Sequence, residues 1–262
     1  MNGDENSIFP LSREGDGPAD AQAKARQHAA RSLPKRFYKQ AEAIETESGF
    51  ELRLDGRPAR TPGKKPLAVA RADLGRSLAD EWESQGEFID PLTMPLTRLA
   101  NVAIDGVADE MPAVREEVAA YAGTDLLFYR AGEPEALVAR QRDVWDPLLA
   151  WAESRFSVRF RLVEGVMPVD QPEEGLQAVR QALEAFDEPL SLAALHTATT
   201  LTGSALIALA LAEGVIDAEA AWAAAHVDED FNISQWGEDF EAKERRERRG
   251  SEFFVAATVL RA

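Results

Sequence analysis

Five carboxylates crowd the stretch VDEDFNISQWGED, Val227 to Asp239, around a Phe, an Ile and a Trp. Acids at that density can hold calcium, divide general-acid and general-base work between them, or present a charged surface to another protein. A calcium loop of the EF-hand kind needs oxygen ligands at its first, third, fifth and twelfth positions and a glycine at the sixth. Asp228, Asp230, Asn232 and Asp239 supply the oxygens. Ile233 stands where the sharp turn needs glycine, and the twelfth ligand is an Asp, too short for the usual bidentate reach. Trp222, His226, Ile233 and Trp236 also recur at helical spacing, which predicts a helix here rather than a loop. A calcium-responsive module is therefore the third reading, and no metal site is expected.

Catalysis by these acids would require a cleft with two carboxyls whose pKa values are pushed apart. A carboxylate-dependent hydrolase is the alternative on that ground. Other chemistries are poorly supplied. The chain has no cysteine, which excludes thiolate catalysis, disulfides and thiolate metal sites, and three histidines, His28, His196 and His226. His28 falls in an acidic, aperiodic segment; His196, in an apolar run, is expected to bond a neighbouring helix; His226 follows the helix face of Trp222. No phosphate-binding glycine loop, nucleophile elbow or zinc-protease motif occurs in the sequence. The following segment, EDFEAKERRERRG, reads as a solvated helix with ion pairs such as Glu241 to Arg245. Aromatic residues beside those charges also suit a protein contact.

These residues must be positioned by a chain of 262 residues, 45% hydrophobic and 29% charged, enough for a sizeable core. Its net charge of −17 repels nucleic acid unless one face is strongly basic. The first residues lack both a secretory apolar core and the character of a transit peptide, so a bacterial cytoplasmic location is expected. Residues 189–212 contain no charge, yet His196 and several Thr dilute them; a buried core helix, not membrane insertion, is expected. Phe50, Leu52 and Leu54 alternate with Glu51, Arg53 and Asp55, and Asp55-Gly56 signals a hairpin turn. Leu74, Leu78 and Trp82 share a helix face that Gly86 can end; Leu96, Leu99, Ala103 and Val107 mark another helix. Past Pro112 the chain reads as entirely helical. There Leu137, Gln141, Val144 and Leu148 form one face, Asp146-Pro147 reads as a cap opening a fresh helix, and Asp217 as the cap of a later one. The fold class is α+β: a tail over residues 1–30, a small strand-containing domain over 31–120 and an all-helical domain over 121–262.

Several stretches together, RFYKQAEA, GFELRLDGRPARTPGKKPL, EWESQGEFIDPLTMPLTRLANVAID, YAGTDLLFYRA, WDPLLAWAE and FNISQWGED, resemble the ATP synthase assembly chaperones. The likeness runs from about Arg36 to the C-terminus. It implies a molecular chaperone without catalysis, nucleotide or other cofactor. The client would be the free alpha subunit of the F-type ATP synthase, kept from aggregating until the beta subunit replaces it. Organelle relatives work in the mitochondrial matrix. The family's sensitive acidic region falls on QWGEDFE, which makes Gln235, Trp236, Glu238, Asp239 and Glu241 the candidate partner-binding residues. Trp82 matches another family position and is expected to serve core packing. No nucleic acid partner is expected, and the chain is expected to be a monomer.

Overall fold

The computed structural model describes residues 33–261; the tail expected over residues 1–30, with His28, lies outside them. Strands β1 (Ala41–Thr46) and β2 (Gly49–Leu54) form an antiparallel hairpin, and β3 (Arg57–Pro58) and β4 (Ala68–Val69) pair in turn along the other edge of β2. Asp55 and Gly56 both take left-handed backbone, φ 49° and 75°, as a two-residue turn matched to strand twist requires. Helix α1 (Ala72–Glu83) lies across the hairpin and buries Leu74 and Leu78. It comes close to the hairpin at Gly75, where a Cβ would sit 2.6 Å from that of Phe50. Leu52 and Leu54 are buried as the alternation predicts, but Glu51 on the other face is shielded too, 3.1 Å from Arg53 Nε. α1 stops at Glu83 rather than at Gly86; the Ser84 amide donates to the Asp80 carbonyl and closes the last turn.

Helix α2 (Pro95–Val102), one π-helical turn (Ala103–Val107) and α3 (Ala108–Gly123) follow. Leu96, Leu99, Ala103 and Val107 are all buried. The start of α2 is capped from α1: Glu81 accepts from the amides of Leu96 (2.7 Å) and Thr97 (2.8 Å) and from the Thr97 hydroxyl (2.8 Å). Trp82 is half-buried beside it, its indole Nε1 donating to Thr97 Oγ1 (3.1 Å) and its carbonyl accepting from the Tyr38 hydroxyl (2.6 Å).

After a short 3-10 turn (Leu126–Phe128) come β5 (Tyr129–Arg130), α4 (Glu135–Phe156), β6 (Val163–Glu164), α5 (Glu173–Leu183), α6 (Pro189–Thr202), α7 (Ala205–Ala212), α8 (Ala218–Ala225), α9 (Val227–Trp236) and α10 (Phe240–Leu260). The fold is α+β, strands first and a mostly helical remainder. The half expected to be entirely helical carries one parallel pair, β5 with β6, of two residues each, too short to leave a period in the sequence. Asp146-Pro147 does not open a helix: α4 runs through it. Pro147 is on the exposed face, where the carbonyl it leaves unbonded can meet water. Asp146 accepts from Arg130 Nη1 (2.8 Å) instead of capping. Trp145 is the fully buried residue of that turn, with its Nε1 donating to the Ala224 carbonyl (2.8 Å), and Val144 is exposed.

The uncharged run of residues 189–212 is buried, but as two helices. Gly203 turns left-handed at φ 69° and Ser204 caps α7, accepting from the Ile207 amide at 2.9 Å. Among the described residues no helix is long and apolar enough to cross a membrane. The fully buried Asp125 holds that break: Oδ1 accepts from the Ser204 hydroxyl (2.6 Å) and the Leu127 amide (3.1 Å), and Oδ2 from the Leu206 amide (3.0 Å). His196 Nε2 lies 3.0 Å from Glu117 Oε2 on α3, the neighbouring-helix bond expected of it. Asp217 caps α8, accepting from the Ala220 amide at 2.8 Å. α6 is the central helix, packed against α3, α7 and α10.

Candidate functional site

The opening stretch folds as the end of α9, a turn at Gly237 (φ 86°, ψ 171°) and the start of α10. Asp228, Glu229 and Asp230 occupy the first turn of α9, where the helix dipole favours negative charge. They diverge from there. Asp228 Oδ1 accepts from Gln141 Nε2 on α4 (2.7 Å), Asp230 pairs with Arg246 on α10, and Glu229 faces His226 Nε2 at 3.8 Å. The oxygens of a calcium loop would have to converge. Among the described residues no cluster of His, Cys, Asp or Glu is arranged to hold a metal ion. His226 is buried, its Nδ1 2.7 Å from the Trp222 carbonyl, and burial holds its pKa below the ordinary value.

At the turn itself the side chains face outward. Trp236 is 86% exposed and Phe240 62%, side by side in sequence with the carboxylates. Asp239 caps α10, accepting from the Ala242 amide at 2.9 Å. Glu238 is 3.2 Å from Lys243 Nζ, and Glu241 pairs with Arg245 at 3.8 Å, the expected spacing of four. Gln235 Nε2 donates to Ser234 Oγ (3.2 Å). A groove of about 390 Å³ is lined by Glu229, Ile233, Trp236, Glu238, Asp239 and Lys243, among others. Of the candidate residues, Trp236, Glu238 and Asp239 meet in this groove, whereas Gln235 and Glu241 lie at the turn outside its lining. The helical spacing of Trp222 and Trp236 does not put them on one packed face: Trp222 meets Phe253 (5.1 Å), whereas Trp236 is exposed. Phe240 was not singled out from the sequence. The signal was there, since its helical neighbours Lys243 and Glu244 are charged and no apolar stripe could bury it.

A hydrolase would need paired acids of separated pKa in a cleft. Among the described residues two carboxyls have raised pKa values: Asp125, pushed by burial up to about 6, and Glu81, raised by burial. Both are already committed to backbone amides at helix starts, Asp125 at α7 and Glu81 at α2. Neither lines the groove at the α9–α10 turn, so the hydrolase reading gains no support there. What the turn can do is bind: two exposed aromatic rings, a shallow groove and a carboxylate rim are the parts of a protein contact.

Comparison with known proteins points the same way. Residues 35–153 match the family described as ATP12 chaperone protein. The mitochondrial atp12 protein of Schizosaccharomyces pombe is 23% identical over 216 residues, spanning 78% of this chain and 74% of the relative. The crystal structure of a candidate chaperone from Agrobacterium tumefaciens superposes with a TM-score of 0.83 at 50% identity, over 94% of this chain and 91% of that one. The crystal structure of Atp12 from Paracoccus denitrificans gives 0.79 at 41% identity, over 86% and 97%.

Proposed function

Because the chain belongs to the ATP12 chaperone family, we propose that it holds the free alpha subunit of the F-type ATP synthase and prevents its aggregation until the beta subunit takes its place. The single observation that carries this reading is the likeness to Paracoccus denitrificans Atp12 over 97% of that chain at 41% identity. The chain acts by binding rather than catalysis, as a monomer, and in the cytoplasm of a bacterium.

The physical logic concerns a surface without its partner. Subunits of an alternating ring meet through large apolar interfaces, and one left bare is an aggregation hazard. A holder must cover that surface and still lose to the permanent neighbour, which favours a contact with few strong anchors and a polar rim. The α9–α10 turn supplies such parts: Trp236 and Phe240 as anchors, with Gln235, Glu238, Asp239 and Glu241 around them.

Co-expression with the cognate alpha subunit tests the reading. The expected result is a co-purifying complex, a soluble alpha subunit, and release when the beta subunit is added. An alpha subunit that neither binds nor stays soluble would overturn it.

A further inference from the structure

The chain is strongly acidic, yet residues 53–65, RLDGRPARTPGKK, carry five cations and one carboxylate. That carboxylate, Asp55, is exposed but engaged, accepting from the amides of Lys39 and Gln40, both at 3.0 Å. Arg53 is matched by Glu51 and Lys65 by Asp109 (3.1 Å each). Arg57, Arg60 and Lys64 are exposed and have no ion partner among the described residues.

Arg57, in β3, leads into a loop that carries Arg60 and Lys64 and is held in one shape. The π-helical turn aims Asp105 at it: Oδ1 accepts from the Thr61 hydroxyl and Oδ2 from the Gly63 amide, both at 2.7 Å. The approach at Gly63 is so close that a Cβ there would lie 2.5 Å from Asp105 Oδ1. Lys64 is left-handed (φ 66°), with Arg60 Nη1 donating to its carbonyl at 2.8 Å. Lys65 Nζ donates to the Ile104 carbonyl (2.9 Å). A π-helical turn interrupts regular hydrogen bonding and is commonly kept where it serves a site. Beside the loop opens a depression of about 240 Å³, bordered by Lys65 and lined by Ala68, Ala103, Ile104, Ala108 and Leu190 with other apolar residues.

We propose that this loop and the depression beside it form a docking surface for an acidic polypeptide segment, which seats one apolar side chain in the depression while its carboxylates meet Arg57, Arg60 and Lys64. Cations carried on a backbone already held in one shape lose less freedom when bound. A polypeptide fits better than the other anionic macromolecules. A net charge of −17 opposes an extended polyanion, and a sugar-phosphate backbone has nothing to fill an alanine-lined hole. A membrane surface takes up side chains that protrude, whereas this feature is concave.

The test is fluorescence anisotropy on the full chain. The probe is a short labelled peptide of alternating Glu around a central Leu, with a second peptide carrying Ser in place of that Leu. The Leu peptide should bind, more weakly as salt rises. Its Kd should increase at least about tenfold in the Arg57→Glu/Lys64→Glu double variant and in Ala108→Leu, which fills the depression from an exposed position. The Ser peptide should bind comparably weakly. Thermal midpoints of both variants should match the parent, and Trp236→Ala, at the other surface, should leave peptide binding unchanged. The proposal fails if the Leu peptide does not bind, or if Ala108→Leu and the Ser peptide make no difference. It also fails if Trp236→Ala abolishes binding, or if anionic vesicles or single-stranded DNA bind more tightly than the Leu peptide. None of these outcomes bears on alpha-subunit binding through the α9–α10 turn.

Discussion

Asp125 keeps a carboxylate where no water reaches it, and its titration should be visible in the stability of the whole protein. Its ordinary pKa of 3.8 rises to about 6 on folding because burial penalises the charge more than its hydrogen bonds favour it. The folded state therefore binds this proton more tightly than the unfolded chain does. The stability that follows is fully present below 3.8 and is lost as pH rises through about 6. Asp125→Asn, which cannot ionise, removes that dependence. Going from about pH 7 to about pH 5, the parent should gain about 1 kcal/mol relative to the variant in urea unfolding; equal differences at both pH values would contradict the shift. Asp239 separates structure from contact. As the cap of α10 it should cost about 1 kcal/mol when changed to Ala. Glu238→Ala and Trp236→Ala, at exposed positions, should change stability by less than about 0.5 kcal/mol while weakening alpha-subunit binding. Charge reversal at Glu238, Asp239 and Glu241 together would mix the two effects, so single substitutions are the cleaner experiment.

Among the elements, α4 is the case where local sequence preference gave way to packing. Asp146-Pro147 has the chemistry of a helix start, yet Trp145, Leu148, Leu149 and Ala152 bury on both sides of it and hold one continuous helix. Pro147 thus occupies a helix interior at the cost of a backbone hydrogen bond. Pro147→Ala should restore that bond and stabilise the protein by roughly 1–3 kcal/mol, read as a raised chemical midpoint; a loss of stability would mean that the helix depends on the proline. The uncharged run of residues 189–212 misled in a related way. A helix apolar all round has no stripe to mark where it bends, and the break at Gly203-Ser204 is fixed by Asp125, distant in sequence. By contrast, the Asp217 cap and the Asp55-Gly56 turn were legible, since each works within a few residues of itself.

For the molecule as a whole, among the described residues, the buried apolar side chains other than Phe231 belong to one cluster, from Leu52 and Leu67 near the strands to Phe253 and Leu260 in α10. Contacts also tie the strand-containing part to α10: Arg71 Nη1 donates to the Val259 carbonyl (2.9 Å) and Arg98 pairs with Glu252 (3.0 Å). We propose a division into parts over residues 31–120 and 121–262 that share this core. With a single cluster across that boundary, calorimetry should show one cooperative transition whose calorimetric and van't Hoff enthalpies agree. Two resolved transitions would mark the parts as independently folding.

The amino-acid sequence by itself determined the α+β class, the strand hairpin, the helix faces and the likeness to a chaperone family, because periods, turns and ordered motifs are properties of neighbouring residues. It also disfavoured a calcium loop at Val227–Asp239, through Ile233 at the turn position, the short Asp239 at the twelfth and the helical spacing of the aromatic and apolar residues. Only the tertiary structure decided which carboxylates are spent inside the fold and which face outward. Asp228 and Asp230 are turned to α4 and α10, Asp125 and Glu81 hold helix starts, and Trp236 with Phe240 stands free at a turn. The physical reason is that a charge or a ring acquires its role from what surrounds it, and those surroundings come from segments tens of residues away.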